Sequence, residues 1–281
     1  MAEILFGTAG VPHGARTKTT VGGIKRIAEL RLDCMEIEFV RGVKMSETSA
    51  RLIAETATKE TVKLSAHAPY YINFNAHDTE KIKASQNRLL QTVRIASLCG
   101  AKSVVLHTAF YLGDPPRKAY DTAKKYLEET LSQLERENNR VLIRPEIMGK
   151  GSQFGTIAEI LNLCTELDGL APCIDFAHWH ARTGVFNSYQ EFSSILLHIK
   201  GQLGRTALDD MHIHISGIKY GEKGEIKHLN LEESDLQYVE LLRVLRDYEV
   251  SGLVICESPN LENDALLLKE TYNTLRKTDY R

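Results

Sequence analysis

The sequence predicts an α/β chain of eight strand–helix units that close into a (β/α)8 TIM barrel. Two observations predict it. Short apolar, β-branched runs alternate with longer stretches of helical period along the whole 281-residue chain. The runs themselves, such as SVVLH and LVICE, are continuously apolar, as strands covered on both faces of a parallel sheet are. Eight such repeats with short connections suit a closed parallel barrel, and single barrels of this length are common. A doubly wound open sheet is the alternative that the same alternation allows.

Taken in order, strands are expected at residues 3–7, 34–39, 62–67, 103–107, 141–146, 171–175, 211–215 and 253–257. Helices are expected at 24–31, 48–59, 77–98, 118–137, 156–167, 188–202, 236–248 and 263–276. Their apolar residues recur at three- and four-residue spacing. Leu89, Val93 and Ala96 form one such row, and Ile157, Ile160, Leu161 and Cys164 another. No linker, low-complexity stretch or sequence repeat divides the chain, so residues 1–281 read as one domain. Nor does a heptad or exposed amphipathic segment call for an obligate protein partner.

Composition narrows the class. With 43% apolar residues the chain can bury a large core. It has no apolar window of about 18 residues, so no membrane span is expected. The opening MAEILFGTAG lacks the regions of a signal peptide and reads as a first strand, which makes a cytoplasmic location the default. Cys34, Cys99, Cys164, Cys173 and Cys256 are scattered, odd in number and lie in or beside apolar runs. They read as buried free thiols rather than as disulfides or a thiolate metal site. The net charge of −2 argues mildly against a partner held by phosphates alone, although enclosed metal ions would add positive charge.

The strand ends carry the chemistry. The third expected strand ends in His67, the fourth in His107, the fifth in Glu146 and the sixth in Asp175. The seventh reaches His214 and the eighth ends in Glu257. In a barrel these carboxyl ends converge on the face where TIM-barrel enzymes build their sites. Singly, each residue could be a loop cap. Six ligand-type residues at equivalent positions instead suggest a metal cluster. His178 lies three residues beyond Asp175, close enough for both side chains to reach one ion, and His180 competes for that role. His228, with Glu225 three residues before it, adds donors from the loop after the seventh strand. His212 shares a strand face with His214 and is expected to be buried behind it. His198 sits in a helical pattern and is expected at the surface.

All these donors are nitrogen or oxygen. They suit zinc, with manganese or iron as alternatives. So many donors exceed the four that one tetrahedral zinc takes. Two or three ions sharing bridging carboxylates, with Glu146 the central bridge, is the economical reading. Such sites suit phosphate-ester hydrolysis.

The motifs SAHAPYYINF, VVLH, RPEIMGKGSQFG, CIDFAHWHARTG, HIHISGIK and ICESP, in this order, resemble the endonuclease IV family, and most of all its archaeal branch. These are metal-dependent apurinic/apyrimidinic endonucleases among the xylose-isomerase-like TIM barrels. The resemblance implies three zinc ions held by His67, His107, Glu146, Asp175, His178, His214, His228 and Glu257. It implies cleavage of the phosphodiester 5′ to an abasic site in double-stranded DNA, in DNA repair, by a metal-bound hydroxide. Glu146 is the catalytic residue it points to. It also implies DNA contacts for Tyr70 and for Arg41. Three positions depart from the pattern. Ile226 stands where an Asp usually precedes the loop His by two residues, with Glu225 as the substitute at hand. The first strand, FGTAGVP, lacks the usual His, and the chain is not basic. A sugar isomerase or epimerase on the same scaffold is the competing function, and a metal-stabilised binding protein is a third.

Overall fold

The computed structural model of the chain describes residues 3–278. Residues 1–2 and 279–281, which the expected domain includes, lie outside the described residues. Eight parallel strands form one sheet: β1 (Ile4–Ala9), β2 (Cys34–Glu38), β3 (Lys63–His67), β4 (Ser103–Leu106), β5 (Leu142–Pro145), β6 (Cys173–Asp175), β7 (Met211–Ile215) and β8 (Gly252–Cys256). Their order, β5-β4-β3-β2-β1-β8-β7-β6, is chain order read around a circle. The seam between β5 and β6 is closed by parallel bridges at Ile143–Leu170 and Glu146–Cys173. Hydrogen bonds from Ile143 N to Gly169 O and from Ala171 N to Ile143 O, both 3.1 Å, reinforce it. The barrel is therefore closed, which decides against the open doubly wound sheet.

Helices surround the sheet, six of them starting at side-chain caps that the sequence supplies. They are α1 (Thr20–Glu29), α2 (Glu47–Glu60), α3 (Thr79–Leu98), α4 (Pro116–Arg136), α5 (Ile157–Glu166), α6 (Phe176–Thr183), α7 (Tyr189–Leu203), the short α8 (Thr206–Asp209), α9 (Tyr238–Asp247) and α10 (Glu262–Thr278). Side chains of Thr19, Ser46, Asp78 and Ser188 cap the backbone N–H groups of α1, α2, α3 and α7. A reciprocal Thr156–Glu159 pair caps α5. Leu89, Val93 and Ala96 on α3 and Ile160 and Leu161 on α5 are fully buried, as their spacing predicts. Four of the five cysteines are buried and all five are free. Cys164 is only half-buried, a correction to the expected set.

Besides the short α8, three elements near the candidate site are absent from the sequence expectations. Helix α6 follows β6 without a loop. A hairpin, Gly217–Gly221 with Gly224–Leu229, rises from the end of β7. A two-residue pair joins Ala109–Phe110 to Gln153–Phe154. All three stand at the carboxyl end of the barrel, where the strand-end residues converge. Among the described residues no helix is long and apolar enough to cross a membrane.

Candidate metal centre

Glu146, directly after β5 and 1% exposed, is the hub of the strand-end residues. Its Oε2 lies 3.2 Å from His67 Nε2 and 3.1 Å from His107 Nε2. Its Oε1 lies 3.2 Å from His178 Nδ1 and 3.3 Å from His214 Nδ1. Three donor groups form at the mouth, each with ligand atoms within 4.8 Å of one another: His67 with His107 and Glu146; Glu146 with Asp175, His214 and Glu257; and His178 with Glu225 and His228; a fourth brings buried Cys173 together with His212 and His214. All eight residues expected as ligands are brought together, and Glu225 joins them.

Local structure explains the convergence. Asp175 is both the last residue of β6 and the N-cap of α6, where its Oδ1 accepts from His178 N at 2.6 Å. The cap fixes the three-residue spacing, so His178 sits over the same mouth, its Nδ1 3.3 Å from Asp175 Oδ2. Three imidazoles have one nitrogen against a backbone carbonyl: His67 Nδ1 on Ala68 O at 2.7 Å, His178 Nδ1 on Ile147 O at 3.1 Å and His228 Nδ1 on Glu257 O at 3.3 Å. An N–H donated there leaves the opposite nitrogen bare and aimed into the cluster.

The third group depends on a β-bulge. Residues three apart on a regular strand face opposite ways, so Glu225 and His228 should diverge. In the hairpin, however, Lys219 pairs with Lys227 and Tyr220 with Glu225, and Ile226 is left without a partner. That extra residue turns Glu225 back toward the side of His228. Glu225 Oε2 then lies 3.6 Å, and His228 Nε2 3.2 Å, from His178 Nε2. Ile226 itself is 57% exposed. Close approach of the hairpin needs a glycine. A Cβ on Gly224 would fall 2.1 Å from Gly149 O, and Gly224 has φ +90°.

The electrostatics are those of a site short of positive charge. Burial opposes the charge on Glu146, yet His107 and His214 hold its carboxyl well below the usual range. Burial pushes Asp175 up to about 6 and Glu38, at the end of β2, up to about 8. Burial works against a protonated His67, but the Glu146 hydrogen bond and the Glu38 charge push its pKa up to about 9. Asp175 Oδ2 and Glu257 Oε2 are buried without a hydrogen-bond partner. Buried carboxylate oxygens left in this way are costly unless a cation meets them. The mixed imidazole and carboxylate donors fit divalent metal ions.

Other expected residues fare differently. Tyr70 is 45% exposed at the mouth, stacked on His107 at 4.9 Å and 7°. Arg41 is exposed in the segment after β2. His212 is buried, as expected, and His198 is exposed. His180 is corrected. Two residues on from His178, it emerges about 200° around α6. It therefore faces Asp235 (Nε2 to Oδ2, 3.3 Å) and the ring of Tyr220, and belongs to none of the donor groups. Sequence reasoning missed Glu36 and Glu38. The available signal was two acids at alternate positions of the otherwise apolar CMEIEF run, which places both on one covered face.

Comparison with known proteins agrees with this architecture. A family model described as "Xylose isomerase-like TIM barrel" matches residues 24–278. An uncharacterized protein of Methanocaldococcus jannaschii is 45% identical over 273 residues, covering 97% of this chain and 98% of that one. A probable endonuclease 4 of Mycoplasma pneumoniae is 26% identical, covering 69% of this chain and 67% of its own. Among solved structures, endonuclease IV from Thermus thermophilus superposes with a TM-score of 0.75 at 17% identity, covering 96% of this chain and 99% of that one. A D-tagatose 3-epimerase-like protein gives 0.73 at 18%, with coverage of 96% and 97%.

Proposed function

The chain belongs to the xylose isomerase-like TIM barrel family, and from that premise we propose that it is a metal-dependent DNA hydrolase of the endonuclease IV type. In this reading it cleaves the phosphodiester 5′ to abasic sites in double-stranded DNA, in cytoplasmic DNA repair, with two or three zinc ions. The observation that carries the reading is the presence of three donor groups at one mouth, two of them sharing the Glu146 carboxylate. A single-ion isomerase has no need of the His67–His107 or the His178–Glu225–His228 group. The sequence likeness to a probable endonuclease 4 favours the same choice. The superpositions do not separate the two functions, because endonuclease and epimerase structures fit the fold alike.

When bound, such ions supply an activated water and neutralise the phosphoryl and leaving oxygens. The chain's own residues set the stage. Glu146 reaches the first group through Oε2 and the second through Oε1, and so holds the two at fixed spacing. Asp175 caps α6 and thereby fixes His178. The exposed ring of Tyr70 offers a stacking face to a base or sugar at the mouth, and Arg41 offers a cation to a phosphate. Manganese or iron would suit the same donors.

The competing reading, a sugar isomerase or epimerase, draws on one observation. Glu146, Asp175, His214 and Glu257 form a complete four-ligand group by themselves. The deciding experiment incubates zinc-loaded protein with duplex DNA carrying one abasic site. Incision 5′ to the lesion, lost on chelation and lost in Glu146→Gln with the fold retained, is the expected result. No metal-dependent incision after full zinc loading would overturn the proposal.

A further inference from the structure

Resting on the metal-centre reading above, we propose that Glu36 is the positioning residue that sets the ligating nitrogen of His214. His214 differs from the other oriented imidazoles. His67, His178 and His228 each turn one nitrogen to a backbone carbonyl, whereas His214 turns Nε2 into the barrel, away from the mouth. There Nε2 lies 3.0 Å from Glu36 Oε1, a buried ion-pair contact whose angle falls short of a hydrogen bond, and neither atom has a hydrogen-bond partner. Both residues are 0% exposed.

The position of Glu36 follows from the sheet. It sits mid-strand in β2, paired in register with Ala9 on β1 and Ser65 on β3. Its side chain enters the barrel interior one layer below the mouth. A lone carboxylate there would be expensive. Three groups meet it instead. Ser65 Oγ donates to Oε2 at 2.7 Å, and His212 Nε2 lies 3.0 Å from the same oxygen. His212 is in turn steadied by Ser103 Oγ, 3.4 Å from its Nδ1. Oε2 is thus occupied by Ser65 and His212, and Oε1 is left to His214.

The chemical consequence concerns which nitrogen is bare. A neutral imidazole carries one N–H and one lone pair. With its N–H on Nε2, the nitrogen that faces Glu36, His214 presents the Nδ1 lone pair to Glu146 and Glu257, 3.3 and 3.5 Å away. The opposite tautomer would aim a proton at the ligand position and waste the carboxylate below. His212, buried and outside the mouth, gains a role in this arrangement: it holds the second oxygen so that the first keeps its aim. Because a side chain rather than the backbone orients His214, the effect is open to substitution.

The test uses the full-length protein and zinc alone. In Glu36→Gln the amide places an N–H donor in the same space, which competes against the Nε2–H form. Competition with a chromophoric chelator should show tightest-site zinc affinity reduced about 10- to 100-fold, with part of the loss regained in Glu36→Asp. Nitrogen-15 spectra of the zinc-loaded, histidine-labelled wild type should show His214 bound through Nδ1 with a downfield Nε2–H. This measurement stands even if the Gln variant fails to fold. Affinity of Glu36→Gln within twofold of wild type, or zinc on His214 Nε2, would overturn the inference. A wild type that binds no zinc would overturn the metal-centre reading and this inference with it. Zinc binding with the expected His214 signature but no DNA incision would sink the proposed reaction alone and leave Glu36 in its role.

Discussion

Ile226 shows how much one residue decides. By sequence alone it breaks the expected ligand pattern, because an apolar side chain stands two residues before His228. In the hairpin it is the bulged residue, turned out to solvent, and its insertion brings Glu225 to His178. Glu225→Gln keeps the size of the side chain and removes its charge. The zinc-loaded variant is expected to hold one ion fewer per chain than wild type, as measured by elemental analysis after gel filtration. Equal metal content in the two proteins would remove Glu225 from the site. Most of the other donors were legible because each closes an apolar run, where an isolated His, Asp or Glu stands out. Glu36 and Glu38 were hidden by the same logic, since they lie inside a run whose β-branched and apolar neighbours dominate the pattern. The pairing of His180 with Asp235 was not legible either. It requires α6, and an Asp-x-x-His-x-His string gives no sign of whether a loop or a helix carries it.

At the scale of elements, the hairpin Gly217–Leu229 is held to the segment after β5 by backbone contact. Glu225 N donates to Gly149 O at 3.0 Å, and Lys150 bridges to Gly224. Gly224→Ala would set a Cβ against Gly149 O in a left-handed backbone. It is expected to cost on the order of 1–3 kcal/mol in urea unfolding and to lose the same ion as Glu225→Gln. Gly221→Ala is the control. Its Cβ would meet only Ile226 Cδ1, at 3.6 Å, so stability and metal content should match wild type. Equal behaviour of the two variants would mean that hairpin docking does not position Glu225. The barrel strands and outer helices were readable because burial on both faces and on one face leave different periods. The hairpin was not. Its strands are only partly buried and carry Lys219 and Lys227 among glycines, with Lys223 in the turn, so no apolar alternation marks them.

For the whole molecule, the closed barrel explains why donor residues from six strands meet. Parallel strands that run in chain order around a circle deliver all their carboxyl ends to one rim. The interior below that rim is not uniformly apolar. Glu36, Ser65, Ser103 and His212 form a polar layer beneath the donor groups, in contact with one another. The near-neutral charge of the chain is compatible with a DNA substrate if the ions supply the positive charge that the sequence lacks. Everything in the functional account therefore turns on how many ions the rim holds. The most direct measurement is elemental analysis of the purified, zinc-equilibrated protein. Two or three zinc ions per chain are expected; a single ion, or none, would contradict the multi-metal centre and with it the hydrolase reading.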